Sequence, residues 1–191
     1  LYNSILEDEA NKLKHLISTS NRSSNEQPLT VDMLSKSILA CFLYTEPLDD
    51  DMFSEKYKRE LEFKNIIALM NMIYELSLSQ WNKENSTNQY RLNRIFSSKS
   101  IMAWSELLRD AICAKLEIHD GDEKEKPFYR DFGDNDNEKI KTCLSRLLNW
   151  QMWNSPRDHE IDNVIASSKG ALKNWFKTKG LTTGFIMGAP E

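Results

Sequence analysis

The sequence predicts an all-α protein, an irregular bundle of six or seven helices around a central apolar helix. Three observations predict it. Most stretches place apolar residues at helical spacing, strand-like alternation is nearly absent, and only 6 glycines and 5 prolines interrupt 191 residues. Apolar residues make up 40% of the chain and charged residues 28%, which is typical of a globular domain rather than a disordered one.

The first two predicted helices are separated by a polar linker. Residues 2–17 carry their apolar side chains on one face, which favours an amphipathic helix. A Ser- and Asn-rich linker follows at 18–28. Thr30 is a suitable N-cap for a second helix over 31–44, because its hydroxyl can accept a hydrogen bond from the first turn.

A long third helix is predicted over 52–80. The acidic run 49–51 supplies an N-cap and negative charge at its start, where the helix dipole favours it. The segment 66–78 is apolar on most sides, so we expect it to be the central helix. Residues 82–89 are polar and are expected to form a loop.

The fourth helix is predicted over 101–116, with Ser98 or Ser100 as its cap. An acidic stretch, 119–137, then separates it from a fifth helix over 138–153. Loops of this length are uncommon unless they are functional or disordered.

Two short helices are predicted near the C-terminus. A break at 167–168 divides residues 158–166 from 169–179, and Gly180 is placed to close the second of them. The tail after Gly180 is expected to be irregular, with a short strand at 185–187. The two helices and their break also fit a helix-turn-helix outline.

Net charge, hydropathy and cysteine usage predict the cellular location of the chain and its classes of partner. A net charge of -4 argues against coating nucleic acid through bulk charge, although it allows a local basic patch. No apolar run approaches the roughly 18 residues of a membrane span, and the sequence shows no signal-peptide pattern. Cys41, Cys113 and Cys143 occupy apolar helix positions and are expected to be reduced, which predicts a cytoplasmic protein without a membrane partner.

The catalytic and metal motifs that we considered are incomplete. His119-Asp120 matches the dipeptide of helical metal-dependent phosphohydrolases, but the further ligands are not indicated. The acidic stretch 131–138 resembles a calcium loop in composition only, because Gly133 is its third residue where an EF-hand needs glycine sixth. The sequence therefore predicts no catalytic residue, no metal and no cofactor, and a metal-dependent hydrolase or nuclease remains the alternative.

The clearest charge asymmetry lies near the C-terminus. Between Ile165 and Pro190 there are four lysines and no acid. Three of them recur every fourth residue and so share one helix face, with the fourth close behind. They are the candidate nucleic-acid-binding residues: Lys169, Lys173, Lys177 and Lys179. The alternative is an ordinary solvated face. Arg91, Arg94 and Lys99 form a smaller basic group.

Trp150 and Trp153 lie at the predicted end of the fifth helix. Two indoles three residues apart can brace the following turn, or they can form a partly exposed surface for a protein partner.

Three stretches carry a family resemblance. They are residues 59–81, beginning RELEFKNI, residues 95–112, IFSSKSIMAWSELLRDAI, and residues 147–156, LLNWQMWNSP. They resemble the helical region that follows the ParB-like core in bacterial DGQHR-domain proteins, which tend to occur with DNA-modification and phage-defence genes. The resemblance lies in the order of helices and aromatic positions. The DGQHR sequence itself is absent, so no catalytic residue is carried over.

The resemblance and the lysines together predict a non-enzymatic helical module of a DNA-linked defence or modification protein. Residues 1–156 would form the bundle core, and residues 157–191 a C-terminal helical appendage with a basic face, although one continuous domain fits equally. Because the chain begins with Leu1 inside a helical pattern, we expect a fragment of a longer protein. Its partners would be DNA phosphates, a protein subunit or the preceding domain, and a pure interaction scaffold is the third alternative.

Overall fold

The computed structural model describes residues 7–18, 20, 22, 27–43, 52–81, 86–118, 128, 131–154 and 159–188. These residues are mostly helical, so the all-α prediction is confirmed. Helix α1 (31–42) contains Val31–Leu34, a π-helical turn Ser35–Leu39 and Ala40–Phe42. The other helices are α2 (Met52–Trp81), α3 (Ser86–Ile95), α4 (Ser98–Lys115), α5 (Asp134–Leu148), α6 (His159–Ala166), α7 (Lys169–Thr178) and α8 (Thr183–Met187).

The segment before α1 differs from its prediction. In place of the end of a helix over 2–17 there is a 3₁₀ helix, Lys12–Leu16, followed by strand β1, Ile17–Ser18. Strand β1 pairs in parallel with β2, Leu29–Thr30, with Ile17 opposite Leu29. The start of the predicted helix, residues 2–6, lies outside the described residues.

A tertiary contact accounts for this difference. Asn71 of α2 accepts a hydrogen bond from the Lys12 amide at 2.8 Å and donates one to the Ala10 carbonyl at 2.9 Å. The Asn11 side chain also accepts from the Leu13 amide at 3.0 Å. These bonds use backbone groups that a continuous helix would pair internally, and so they favour a tight turn.

The predicted caps of α1 and α4 can be compared directly. Thr30 caps α1 as predicted, since its hydroxyl accepts from the Met33 amide at 3.2 Å. Helix α4 begins earlier than predicted because its cap is Ser97 rather than Ser98 or Ser100. The Ser97 hydroxyl accepts from the Ser100 amide at 3.2 Å.

The central position belongs to α4 rather than to the segment 66–78 of α2. Helix α4 packs against α1, α3, α5, α7 and α8, whereas α2 packs mainly against α3, α5 and the 3₁₀ helix Lys12–Leu16. Within α2, Ile66, Leu69, Met70 and Ile73 are buried, as are the polar residues Glu62, Asn65 and Ser77, while Ile67, Met72 and Tyr74 are only partly buried. Helix α2 therefore contributes one face to the core.

Helix α3 was not predicted, because its inward face is unusually polar. Residues 86–89 fall in the expected loop 82–89, yet they form the first turn of the helix. Over residues 91–95, where burial is described, Arg91, Leu92, Arg94 and Ile95 are buried, so two arginines occupy positions where apolar residues mark a helix.

Helix α5 is displaced toward the N-terminus relative to its prediction. It begins at Asp134 rather than Glu138 and ends at Leu148, after which Gln151–Asn154 form a 3₁₀ helix. Asp134 and Asp136 occupy the first turn, where acidic side chains are favoured by the helix dipole. The predicted inward residues Ile140, Cys143 and Leu144 are buried.

The C-terminal segment folds onto the same core. Helices α6 and α7 are divided at Ser167 and Ser168 as predicted. The predicted strand at 185–187 is wrong, because these residues belong to α8. One continuous apolar core includes Ile161, Leu172, Phe176 and Ile186 together with residues of the earlier helices. Among the helices described, none combines the length and apolar content needed to cross a bilayer.

Candidate nucleic-acid interface

Helix α7 carries the predicted lysines on a firmly anchored scaffold. The Ser168 hydroxyl accepts from the Ala171 amide at 3.1 Å and so caps the first turn. Leu172, Trp175 and Phe176 are buried on the inner side. Gly180 follows in the left-handed conformation, with φ of 84°, which glycine adopts without a Cβ penalty.

An aromatic cluster holds α7 against the end of α5. It consists of Trp150, Trp153, Trp175 and Phe176, which meet edge to face. The Trp150 and Trp153 ring centroids lie 5.2 Å apart, and the Trp153 and Phe176 centroids 5.4 Å apart. Trp153 Nε1 also donates to the Leu147 carbonyl at 2.9 Å.

The exposed-surface interpretation of the two indoles is therefore wrong. Trp150 is 2% exposed and Trp153 is 0% exposed. They pack around the turn after α5, which was the other interpretation of the same spacing, and neither indole offers an exposed apolar surface to a partner.

The lysine face is defined as Lys169, Lys173 and Lys177, which recur every fourth residue of α7 beside its buried side, together with Lys179, which directly follows the helix. Two of its members share one acid from α4. Lys169 Nζ lies 2.8 Å from Glu106 Oε1, and Lys173 Nζ donates to Glu106 Oε2. The lysine side chains remain 42% and 38% exposed and that of Glu106 27%. All three groups therefore stay within reach of solvent and of an external anion.

The other two members have different surroundings. Lys179 Nζ lies 3.0 Å from Glu160 Oε2 and 5.8 Å from the centroid of the Trp175 ring. Lys177 is exposed and has no ion-pair partner among the described residues. Among the described residues the four lysines thus pair with two carboxylates, which leaves a surplus of positive charge.

Both carboxylates are ionised at neutral pH. Burial raises the pKa of Glu106, but hydrogen bonds from Lys169 and Lys173 outweigh that effect and bring it below its ordinary value. Hydrogen bonds from Lys179 and from Trp175 Nε1 likewise lower the pKa of Glu160. Each acid therefore acts as a fixed negative charge beside the lysine face.

The smaller basic group of Arg91, Arg94 and Lys99 is used within the fold. Arg91 is buried, and its guanidinium donates to the Leu148 carbonyl and, at 3.1 Å, to Asn149 Oδ1. Burial lowers the pKa of Arg91. Lys99 Nζ donates to the Ala166 carbonyl at 2.7 Å and also to that of Ser167.

The third member of this group, Arg94, joins α3 to α6. Its guanidinium makes two hydrogen bonds to the Asp162 carboxylate, at 2.8 and 2.9 Å. All three cations therefore stabilise neighbouring elements, and two of them complement helix C-termini.

Helix α8 is also held by cations that donate to carbonyl groups in its last turn. Lys115 Nζ donates to the Met187 carbonyl at 2.9 Å, and Arg146 Nε donates to the Phe185 carbonyl at 2.6 Å. Cations of α4 and α5 thus bind the last carbonyls of α8, which a helix leaves unpaired. Exposed basic side chains lie on α7, at Lys177, and also on α5, at Lys141 and Arg146.

Neither metal-site alternative, the helical phosphohydrolase or the calcium loop, is supported by the described part of the chain. His119 and Asp120 lie outside the described residues. Where residues are described, no group of three or more His, Cys, Asp or Glu is arranged to hold a metal ion. The acidic stretch 131–138 contributes its last residues to the first turn of α5.

Glu106 is the residue of this site that the sequence did not single out. It lies on the outward side of α4, between the buried positions Ala103 and Leu108, where an acid is ordinary. Only the packing of α7 against α4 brings it to the lysines, and no local pattern signals that contact.

Comparisons of this chain with known protein families, with characterised proteins and with solved structures find no match.

Proposed function

We propose that this chain is a non-enzymatic helical module that binds the phosphate backbone of DNA through the lysine face of α7. The observation that carries the proposal is the charge surplus on that face. Among the described residues four lysines meet two carboxylates, and the helix that carries three of the lysines is anchored by the aromatic cluster. A rigid helix with mobile ammonium groups suits contact with phosphates.

Binding of this kind is weakly dependent on sequence. An ammonium group is a compact point charge on a flexible stem, and it does not read a base edge in two places as a guanidinium does. Arg91 and Arg94, the two arginines of the smaller basic group, are buried in contacts with Leu148 and Asp162. The proposed role is therefore backbone binding that supports another recognition element.

The proposed link to DNA modification or phage defence rests on the resemblance to the helical region of bacterial DGQHR-domain proteins. In that setting the module would belong to a protein linked to DNA modification or phage defence, and the lysine face would hold DNA near a partner subunit or a preceding domain. A scaffold that binds protein through Trp150 and Trp153 receives no support, because both indoles are buried.

A salt titration of DNA affinity tests the proposal. Fluorescence anisotropy with a labelled duplex would be measured at several salt concentrations for the wild type and for K169Q/K173Q/K177Q. The slope of log affinity against log salt should flatten by up to about 2.7, at about 0.9 per lost phosphate contact. Two unrelated duplex sequences should bind with similar affinity.

A matched control separates the lysine face from net charge. Lys12, Lys36 and Lys141 are exposed lysines that pair with Glu75, Asp32 and Glu138, away from α7 in the chain. The variant K12Q/K36Q/K141Q loses the same three charges and should keep most of the wild-type slope. Equal slopes for all three proteins would refute binding through the lysine face.

The hydrolase or nuclease alternative is tested separately. Incubation of the chain with Mn²⁺ and a labelled duplex should leave the duplex intact. Cleavage that is lost in H119A would favour the enzyme instead.

A further inference from the structure

Glu106 holds the two lysines as a phosphate group would. Its Oε1 accepts from Lys169 Nζ at 2.8 Å, and its Oε2 accepts from Lys173 Nζ, so that each oxygen serves a different ammonium group. Two oxygens of one phosphate can make the same pair of contacts, because charge-assisted bonds to carboxylate and phosphate oxygens have similar lengths.

We infer that Glu106 is a built-in competitor for the phosphate groups that the lysine face binds, so that an incoming phosphate must displace its carboxylate from Lys169 and Lys173. The inference rests on the proposed function, because it names how that same site is regulated.

The positions of the three groups make displacement feasible. The Glu106 side chain is 27% exposed and joins the lysines from a different helix, so it can rotate toward water without unfolding either element. Ion pairs between partly exposed side chains contribute little net stability and are screened by salt. A carboxylate that loses these partners is not stranded in the apolar core.

The charge arithmetic sets the size of the effect. Lys169 and Lys173 with Glu106 carry a net charge of 2 − 1 = +1, and neutralising the acid raises this to +2. DNA affinity of E106Q at low salt should then rise roughly three- to tenfold, as expected for one unit charge a few ångströms away in a watery environment. The salt slope should steepen by about 0.9.

A second acid of the chain provides the matched control. Glu75 of α2 pairs with Lys12 at 2.9 Å across two elements, so E75Q makes the same change of charge and breaks the same kind of contact. It touches no lysine of α7. We expect E75Q to bind DNA within about twofold of the wild type, since its charge acts through screening solvent. Equal affinities of E106Q and E75Q would overturn the inference.

A small anion separates this inference from the proposed function. Inorganic tripolyphosphate would be titrated into the wild type, E106Q and E75Q, with the side-chain NMR signals of Lys169 and Lys173 as the readout. The inference requires tighter binding to E106Q than to E75Q. If this holds while none of the proteins binds DNA, the proposed function fails and the competitor role stands.

The opposite pattern is equally decisive. If the wild type binds DNA through the lysines but E106Q gains nothing with either DNA or tripolyphosphate, only the competitor role fails. Circular dichroism of each variant verifies the fold, and E106A serves in place of E106Q should the latter fold poorly.

Discussion

Replacing Trp153 with alanine should destabilise the fold by about 3–5 kcal/mol, the usual cost of truncating a large buried aromatic side chain. Trp153 is fully buried and lies within 5.5 Å, between ring centroids, of two other aromatic residues, at 5.2 Å from Trp150 and 5.4 Å from Phe176. Its removal leaves a cavity between α5 and α7 that these large neighbours cannot fill without leaving their rotamers.

A conservative variant divides this cost into its parts. Phenylalanine at position 153 keeps most of the apolar contact but loses the hydrogen bond from Nε1 to the Leu147 carbonyl, which measures 2.9 Å. That carbonyl still accepts from the Trp150 amide at 3.3 Å, so it is not left unpaired. The expected cost of W153F is about 1–2 kcal/mol, from one hydrogen bond and the lost ring volume.

Urea unfolding followed by far-ultraviolet circular dichroism measures both variants without relying on the indole that is removed. The exposed neighbour Gln151 provides the control, and Q151A should change stability by no more than about 0.5 kcal/mol. If W153A costs as little as Q151A, Trp153 is a surface residue, and the argument that the aromatic cluster anchors α7 is refuted.

Two further outcomes follow from ion pairs between helices. D162N should cost only about 0.5–1 kcal/mol, because Asp162 is 53% exposed. R94Q should cost about 2–3 kcal/mol, because the Arg94 side chain is 7% exposed and its loss leaves polar groups unpaired. Urea midpoints would measure both, and a larger effect of D162N than of R94Q would contradict the assignment of Arg94 as the buried partner of this ion pair. The pKa of Glu106 is lowered in the folded state, so its contribution to stability is present above its unfolded pKa, near 4.5, and is lost as the pH falls through the folded pKa. Thermal unfolding between about pH 5 and pH 3 should therefore show a smaller loss of stability for E106Q than for the wild type. The difference should be less than about 1 kcal/mol after solvent screening. Parallel curves of stability against pH for the two proteins would show that the pairing with Lys169 and Lys173 does not form in solution.

Local patterns determined the elements whose signals lie within a single segment. Thr30 capped α1, the apolar spacing of Ile101, Trp104 and Leu108 marked α4, and the serines at 167–168 divided α6 from α7. In each case the apolar face and the cap lie within one or two turns, so the chain specifies the helix before any tertiary contact forms. The lysine face of α7 was predicted for the same reason, since a spacing of four residues defines a helix face by itself.

Tertiary structure decided the elements whose stability comes from other parts of the chain. Helix α3 buries arginines whose guanidinium groups donate to a carbonyl of α5 and to Asp162 of α6. Helix α8 is capped locally by Thr182 and Gly188, and Lys115 and Arg146 of other helices bind carbonyls in its last turn. Asn71 replaces the end of the first predicted helix by a 3₁₀ turn.

For the lysine face too, some features follow from the sequence and others from the packing of the helices. The sequence determined that three lysines form one stripe along α7 and that an apolar stripe runs beside it, because both follow from the helical period. Packing alone decided that Glu106, more than 60 residues earlier, meets Lys169 and Lys173, and that Trp150 and Trp153 are buried beneath that helix. Contacts between distant segments depend on how the helices pack. The spacing and composition of one helix do not determine which side chain a neighbouring helix places against it.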